Sequence, residues 1–542
     1  MPLPKIDFVR TQGLGIPATG QDHISGLMLR MADGDLPTGF STGDRVKKIF
    51  SVQQAEDLGI VDTHSDETKA TGGNVEITLT GAEDDTATIK IDEVVLGTYT
   101  LENSDAVADV AAGLRTAINA LTSKHGFVAG GSTANVALTA PAKMGEVLNN
   151  ATIAFSTSGS ATATATQFSS GAGSYLATAH YHIEEFFRAK PDATLYVGIY
   201  DSSSAYDGSD VESMQDASNG EIRQLGIYIH DETFAASQVT ATQTYLETLR
   251  DNKKNLFAEL HADMSSLTLS TLSDLTSLTA SKVSVCLGED GNYHQAAYAA
   301  ATSYVAGDKV KWLNKTYICG RSATGQAPYD NDYFTEVSLN LPDIVGHSVS
   351  TLGNMLGTTA ETAPSESIAH VERFRLDSGN TLSVAGFATG DLYGDQAIGQ
   401  LNSLNDQHYT FLRSFTGLPG VYYNDNRTAV SETNDYSSIS NNRVMDKAER
   451  LLYERYLPKL NSRIFVNDDG TLTDQTINEY ITEGQIVTDQ LDRELNISGS
   501  LVTMDSAQNS VQTGKIEVSV DLVAVGIARN IVVNNRFVTQ IA

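Results

Sequence analysis

The residues best placed by type and spacing to do chemistry form one short run, His180-x-His182 followed by Glu184 and Glu185. Imidazole and carboxylate groups are ordinary zinc ligands, so this run is the nearest thing in the chain to a metal site. On a helix, however, His180 and Glu184 share a face and His182 points elsewhere. We therefore favour a packing or surface role and predict no metal, no cofactor and no catalytic residue.

A second polar run, Asn467-Asp468-Asp469-Gly470 with Asp474, has some of the oxygen ligands of a calcium loop. It lacks the full acidic spacing and the closing Glu of an EF-hand, and Asp-Gly between strand-like runs is typical of a hairpin turn. The chain contains no P-loop, no G-x-S-x-G and no H-E-x-x-H. These absences disfavour the common hydrolases and nucleotidases, and we expect a protein that is not an enzyme.

Composition narrows the class further. The 542 residues include 36 Lys and Arg against 67 Asp and Glu, a net charge of -31. The electrostatic field of this negative charge repels phosphate backbones, which disfavours nucleic acid as a partner. No apolar run approaches the ~18 residues of a membrane-spanning helix, and no secretion signal is visible. With only two cysteines, we expect a soluble protein made in a reducing cytoplasm.

Changes in composition along the chain predict the structural units that would position any site. Residues 1–20 carry prolines and glycines that forbid a helix and predict an extended arm. Residues 21–67, 175–291 and 339–440 alternate strand-like and helix-like segments, which predicts one α/β core with a mixed sheet. Residues 68–174 hold alternating strands around one amphipathic helix, which predicts an inserted β-rich domain.

Residues 292–338 are a small, unusually aromatic insertion that reads as strands around an Asn-Lys turn. The run is similar to the chitin- and cellulose-binding modules of secreted glycosidases, in which exposed tryptophans stack on sugar rings. Trp312, Tyr317 and Phe334 are therefore candidate sugar contacts, although Phe334 replaces the typical closing Trp. The alternative is that these aromatic side chains form a small core of their own.

The last segment, residues 441–542, is predicted to hold two long helices followed by two strands. Residues 529–542 are strand-forming up to the last position. A strand of this kind favours pairing with the sheet of a neighbouring molecule. This segment is therefore the second predicted arm.

Several motifs resemble the contractile tail sheath family, which occurs in myophage tails, R-type pyocins, type VI secretion and extracellular contractile injection systems. The C-terminal ones are Gly-Leu-Pro-Gly-Val-Tyr-Tyr-Asn-Asp at 417–425, Asp-Tyr-Ser-Ser-Ile at 435–439, Asn-Arg-Val-Met-Asp-Lys-Ala at 442–448 and the final apolar strands. Residues 9–29, 181–187 and 222–227 fit the same family. Residues 68–174 resemble the variable, outward-facing domain of phage sheaths.

The resemblance implies a structural subunit that polymerises as stacked hexameric rings around an inner tube and contracts to drive the tube through a target envelope. The implied partners are further copies of the chain, the inner tube protein, and baseplate and tail terminator or cap proteins, without nucleic acid or membrane insertion. The subunit would be made in a bacterial cytoplasm and join a virion tail or a released phage-tail-like particle. Alternatives are another phage tail or baseplate protein, or a secreted carbohydrate-binding protein.

In sheath proteins the terminal arms donate strands to neighbouring subunits. The resemblance therefore implies contacts between subunits through both arms and flexible glycines near their bases. The implied contact residues are Ile6, Phe8, Val9, Ile531, Val532, Val533, Phe537 and Val538, and the implied hinges are Gly13, Gly15 and Gly526. Residues 441–542 would be the assembly domain, with 529–542 as its donor strand.

The predicted long helix, residues 442–460, is locally basic in an acidic chain. Arg443, Lys447 and Arg450 fall at i, i+4 and i+7 and so share one face. One hypothesis is that this face contacts the tube protein in the extended state. The alternative is a solvated helix surface with local ion pairs.

Overall fold

The computed structural model describes residues 21–337, 349–376 and 382–537. Its centre is a seven-stranded sheet. The strand order is Val46–Ile49, Leu195–Asp201, Ser25–Met31, Gln224–Thr233, Phe257–Asp263, Val283–Cys286 and Tyr409–Thr410. Every neighbouring pair is parallel except the edge strand Val46–Ile49, which runs antiparallel to Leu195–Asp201. The predicted mixed α/β class is confirmed.

Helices cover both faces of this sheet because its strands alternate their apolar side chains between two clusters. Leu27 and Leu29 belong to one cluster and Met28 to the other. The first face carries helices Tyr175–Ala189 and Leu352–Glu361, and the second carries Ser209–Ala217, Ala236–Asp251 and Ile398–Asp406. The sheet is therefore buried from both sides.

Two glycines allow the helices of the first face to touch backbone to backbone. A Cβ at Gly353 would lie 2.2 Å from the carbonyl oxygen of His182, and one at Gly357 would lie 2.6 Å from that of Phe186. Glycine at i and i+4 leaves one face of helix Leu352–Glu361 without side chains, so helix Tyr175–Ala189 packs directly against it.

Residues 68–174 form two small sheets around helix Val107–Ala120. One sheet orders its strands as Val128–Gly130, Asn135–Thr139, Asn74–Leu79 and Thr162–Thr166, and the other as Val94–Thr100, Thr86–Ile91 and Ile153–Thr157. The helix buries Val110, Leu114 and Ile118 between them. These residues are spaced four apart and belong to the predicted apolar stripe.

The aromatic insertion consists of short strands, Ser303–Tyr304, Lys309–Trp312, Lys315–Cys319, Ala323–Thr324 and Phe334–Glu336. Its buried side chains belong to the same hydrophobic cluster as those of residues 68–174. The indole N–H of Trp312 donates to the carbonyl oxygen of Ile91 at 3.2 Å, and the hydroxyl of Tyr329 donates to that of Val95. The two insertions therefore form one composite unit.

The C-terminal region packs helix Ile439–Tyr456 against helix Asp474–Arg493 and the antiparallel hairpin Ile497–Thr503 with Ser519–Ala524. Val444, Ala448, Val487, Leu491 and Ile497 form their shared core. Residues 525–537 follow without helix or strand. The remaining elements include helices Val52–Asp57, Thr122–His125 and Ser510–Thr513, and strands Gly288–Asp290, Ala385–Phe387, Leu412–Phe415 and Leu418–Tyr423.

Candidate functional site: the roots of the arms and the C-terminal surface

Of the histidine and glutamate run, His182 and Glu185 lie in the contact between helices Tyr175–Ala189 and Leu352–Glu361. His180 contacts Glu56, with 3.1 Å between Nε2 and Oε1, whereas Nδ1 of His182 accepts the backbone N–H of Gly353 at 3.3 Å. Burial, with a smaller effect of His261, lowers the pKa of His182 to about 3, so this ring is neutral. In residues 21–337, 349–376 and 382–537, no group of three His, Cys, Asp or Glu side chains is arranged to hold a metal.

Arg443 begins the basic face of helix Ile439–Tyr456 and is only 6% exposed. Its guanidinium donates to the hydroxyl of Thr362 at 2.6 Å and to its carbonyl oxygen at 3.2 Å. Thr362 is the C-cap of helix Leu352–Glu361, whose last carbonyls carry the negative end of the helix dipole. Burial lowers the pKa of Arg443 to about 10, against the opposing effect of Asp22, so the group remains charged at neutral pH.

The other two basic side chains of this face converge on Asp22. Lys447 Nζ lies 2.5 Å from Asp22 Oδ2, and Arg450 Nη2 lies 3.0 Å from Oδ1. Lys447 also contacts Glu494, at the C-cap of helix Asp474–Arg493, at 2.7 Å. Burial raises the pKa of Asp22, but Lys447, Arg450 and Arg443 outweigh it and hold that pKa below its ordinary value.

These contacts bear directly on the predicted tube-facing residues. Arg443 and Lys447 are buried and all three side chains bond within the subunit, so they do not form an open basic face. This burial departs from the alternative, a solvated helix surface, which would leave the side chains exposed. Contact with a tube protein stays a prediction, and it would require the bonds to Asp22 to open.

The candidate sugar contacts of the aromatic insertion are also buried. Trp312 and Tyr317 are each 4% exposed and Phe334 is 1% exposed, because their rings fill the core shared with residues 68–174. A sugar ring cannot stack on them as placed. The aromatic side chains do form a core, as the alternative reading expected, but they share it with a second insertion.

The C-terminal hairpin has an open surface. Strands Ile497–Thr503 and Ser519–Ala524 pair only with each other among the described residues. Leu501 and Val523 on this hairpin are both more than half exposed. Its edges have no partner strand among the described residues, so this sheet is suited to receiving further strands.

Past the hairpin, the chain carries apolar side chains into solvent. Ile531 is 77% exposed, Val532 75% and Val533 70%, and Phe537 is fully exposed. This segment forms no strand within the described residues, although the sequence predicts one. Its contacts with other subunits stay a prediction. Ile6, Phe8, Val9, Gly13, Gly15 and Val538 lie outside the described residues.

Arg529 fixes the beginning of this segment. Its Nε donates to both carboxylate oxygens of Asp425, at 3.0 and 2.8 Å, and its Nη2 donates to Asn426 Oδ1 at 3.1 Å. Gly526, the predicted hinge, comes just before this anchor and lines a groove of about 1320 Å³ between the core and the C-terminal segment. A Cβ at Gly526 would meet open space, so packing does not require glycine there.

No sequence pattern predicted the anchoring roles of the two carboxylates. Asp22 lies 425 positions before Lys447, and Asp425 lies 104 before Arg529. Asp425 ends the motif at 417–425, but neither carboxylate stands in a local pattern that indicates a basic partner. The only usable signal was the basic spacing on the long helix, which indicated a binding face but not its partner.

Comparison with solved structures gives several distant likenesses, among them sheath proteins. The helical sheath of the anti-feeding prophage in its contracted state is 18% identical, covering 67% of this chain and 82% of that one, with a TM-score of 0.40. A sheath tail protein of Desulfitobacterium hafniense is 13% identical, covering 96% and 100%, with a TM-score of 0.33. One of Listeria innocua is 10% identical, covering 93% and 96%, with the same TM-score.

These neighbours are sheath proteins, the family that the sequence motifs resemble. At such identities and TM-scores they assign no function to this chain. A family model described as DUF2586, C-terminal domain, matches residues 435–542, which begin just before helix Ile439–Tyr456 and include the hairpin. No curated protein matches the chain. Among the described residues, no helix is both long and apolar enough to cross a membrane.

Proposed function

We propose that the chain is a structural subunit of a contractile tail sheath. The observation that carries this proposal is the C-terminal surface, where an open two-stranded sheet is followed by a solvent-exposed apolar segment. The sheath-like motifs at 417–425, 435–439 and 442–448 lead into that surface. No catalytic role is proposed for any residue.

The energetics favour a covered arm over a free one. Burying a Val, Ile or Phe side chain contributes about 1.5–3 kcal/mol. The four exposed residues Ile531, Val532, Val533 and Phe537 together would contribute on the order of 6–12 kcal/mol, before the entropy of ordering the segment is subtracted. Strand addition would also pair backbone groups that the open sheet edges leave to water. A repeating surface of this kind supports polymerisation.

In the proposed assembly, hexameric rings of subunits stack around an inner tube and the arms link neighbouring copies. Contraction would move subunits as rigid bodies while the donated strands keep them connected. The composite unit of residues 68–174 and 292–337 would face outward. The inner tube, baseplate and terminator or cap proteins would be the other partners, within a tail or a phage-tail-like particle.

Electron microscopy of the purified chain tests the proposal. We expect hollow tubes from the wild type. The variant Val533→Asp places a charge in the exposed segment and should leave folded subunits that do not form tubes. The matched control is Val305→Asp, at an exposed position of the aromatic insertion. It should assemble like the wild type.

A wild-type chain that remains monomeric at all concentrations and salt conditions would refute the proposal. So would normal tubes from Val533→Asp, because the exposed segment would then have no part in assembly. Folding of each variant is checked by circular dichroism and by its urea midpoint.

A further inference from the structure

We propose that helix Ile439–Tyr456 and the loop before it, residues 425–438, join the roots of both terminal arms into one mechanical link. We call this segment the root bridge. The inference rests on the proposed function, because force acts on the arms when a sheath contracts. It assigns positioning roles to Asp22, Asp425, Asn426 and Arg529.

The first root is Asp22, two positions after residues 1–20, the predicted N-terminal arm. Each of its two carboxylate oxygens contacts a different cation of the helix, Lys447 or Arg450. The Asp22 side chain is 22% exposed and that of Lys447 10%. Charge-assisted hydrogen bonds in such partly buried sites are stronger than exposed surface pairs. Pulling on the N-terminal arm would therefore load the helix.

The second root is Arg529, at the start of the exposed C-terminal segment. It shares the carboxylate of Asp425 with Arg427, whose Nε donates to Oδ2 at 2.9 Å. The Asp425 side chain is 8% exposed. Two guanidinium groups on one buried carboxylate give the anchor a defined direction, because their donors have fixed geometry. Force on the C-terminal arm would reach the loop at this point.

The loop and the helix are joined between the two roots. The side-chain amide of Asn426 donates to Ser440 Oγ at 3.0 Å, and its backbone carbonyl accepts the N–H of Ile439 at 2.8 Å. Asn426 also accepts the hydrogen bond from Arg529. One residue thus connects the C-terminal root with the first turn of the helix that holds the N-terminal root.

If the two roots lie on a single path of force, single and double variants should show a distinctive pattern of tube stability. Loss of either root interrupts the same path, so losing the second adds little. Independent anchors would instead give effects that add. The comparison between single and double variants therefore separates one bridge from two unrelated ion pairs.

The variants are Asp22→Asn, Arg529→Gln and the double variant, with Lys515→Gln as control. Lys515 forms an exposed ion pair with Glu517 near the same hairpin, away from both roots. The measurement is the urea concentration at which half of the assembled tubes dissociate, followed by sedimentation and electron microscopy. Near-ultraviolet circular dichroism shows that the subunits are folded, and Arg529→Lys serves as the milder variant if Arg529→Gln does not fold.

We expect each single root variant to form tubes that dissociate at a lower urea concentration than the wild type. The double variant should match the weaker single variant, and Lys515→Gln should match the wild type. Root variants with wild-type midpoints, or a double variant whose shift equals the sum of the singles, would overturn the bridge while leaving the sheath proposal intact. A wild-type chain that never assembles would instead refute the proposed function and the bridge with it.

Discussion

Replacing Gly353 by alanine should separate the two helices that cover the first face of the central sheet. The added Cβ would lie 2.2 Å from the carbonyl oxygen of His182, 2.7 Å from its Cα and 2.8 Å from its carbonyl carbon. All three are backbone atoms, so no change of rotamer relieves the overlap. The helices must move apart by about 1 Å to restore ordinary van der Waals contact.

Overpacking of this kind typically costs about 1–3 kcal/mol. The higher helix propensity of alanine offsets about 1 kcal/mol of this cost. Moving the helix also disturbs buried hydrogen bonds of Asn354, whose amide donates to Glu185 at 3.2 Å and whose Oδ1 accepts the hydroxyl of Tyr423 at 3.1 Å. We therefore expect a net loss on the order of 2 kcal/mol in the free energy of unfolding.

Gly399→Ala is the matched control. Gly399 lies in helix Ile398–Asp406, and a Cβ there would meet nothing within 4 Å. This substitution should leave stability unchanged or raise it by up to about 1 kcal/mol. Urea unfolding of the unassembled subunit gives both values from the midpoint and slope.

The result that would refute the reasoning is a Gly353→Ala variant as stable as the wild type. Equal losses in both variants would also do so, because the cost would then arise from the loss of glycine as such and not from the contact with His182.

Three further predictions concern buried groups. Burial raises the pKa of Glu259 to about 8 against the opposing hydrogen bond from Thr359, so the folded state binds this proton more tightly than the unfolded state. Stability should therefore fall by about 1.4 kcal/mol per pH unit between pH 4.5 and 8 on account of this group. Glu259→Gln should remove that slope in urea unfolding and exposed Glu83→Gln should keep it; an unchanged slope in Glu259→Gln contradicts the assignment. Because Lys447, Arg450 and Arg443 hold the pKa of Asp22 below 3.8, its contribution is present above that pH and is lost as the pH falls through the lower folded value. The stability difference between wild type and Asp22→Asn should thus shrink from pH 6 to pH 3, and a difference that grows would be inconsistent with the ion pairs. Trp312→Ala should destabilise the composite unit by about 3–5 kcal/mol and expose residues 68–174 and 292–337 to protease, while exposed Val305→Ala should not. Protection of residues 68–174 in Trp312→Ala would show that the two insertions fold separately.

Local patterns were enough to predict the long helix and the alternation of strands and helices in the core, but not helix Leu352–Glu361. The α/β class follows from alternating elements, and the long helix buries Val444 and Ala448 on the face that their spacing indicates. The same helix also buries Arg443 and Lys447, which no local pattern predicts, because Asp22 is brought to them from the far end of the chain. Charged residues are normally assigned to solvent, and only a distant partner reverses that assignment.

The composite unit was missed for the same reason. Trp312 and Ile91 are 221 positions apart, so the aromatic insertion looked like a module with its own surface. The second predicted C-terminal strand does not form within the described residues, for a different reason. In the proposed assembly, residues 531–537 would form their strand hydrogen bonds on another molecule, and within the single chain they have no partner strand.

The shared core of the two insertions changes how the composite unit is tethered to the central sheet. Glu67 accepts the backbone N–H groups of Lys143, Met144 and Gly145, and Asp66 accepts those of Tyr175 and Leu176, so the first insertion is clamped where it leaves and rejoins the core. The second insertion has its own connections to the core, in addition to those of the first. A body held at several points cannot swivel as a domain on one linker does. We therefore expect the composite unit to move with the core as one body, and exchanging one insertion for foreign sequence would require redesign of the other.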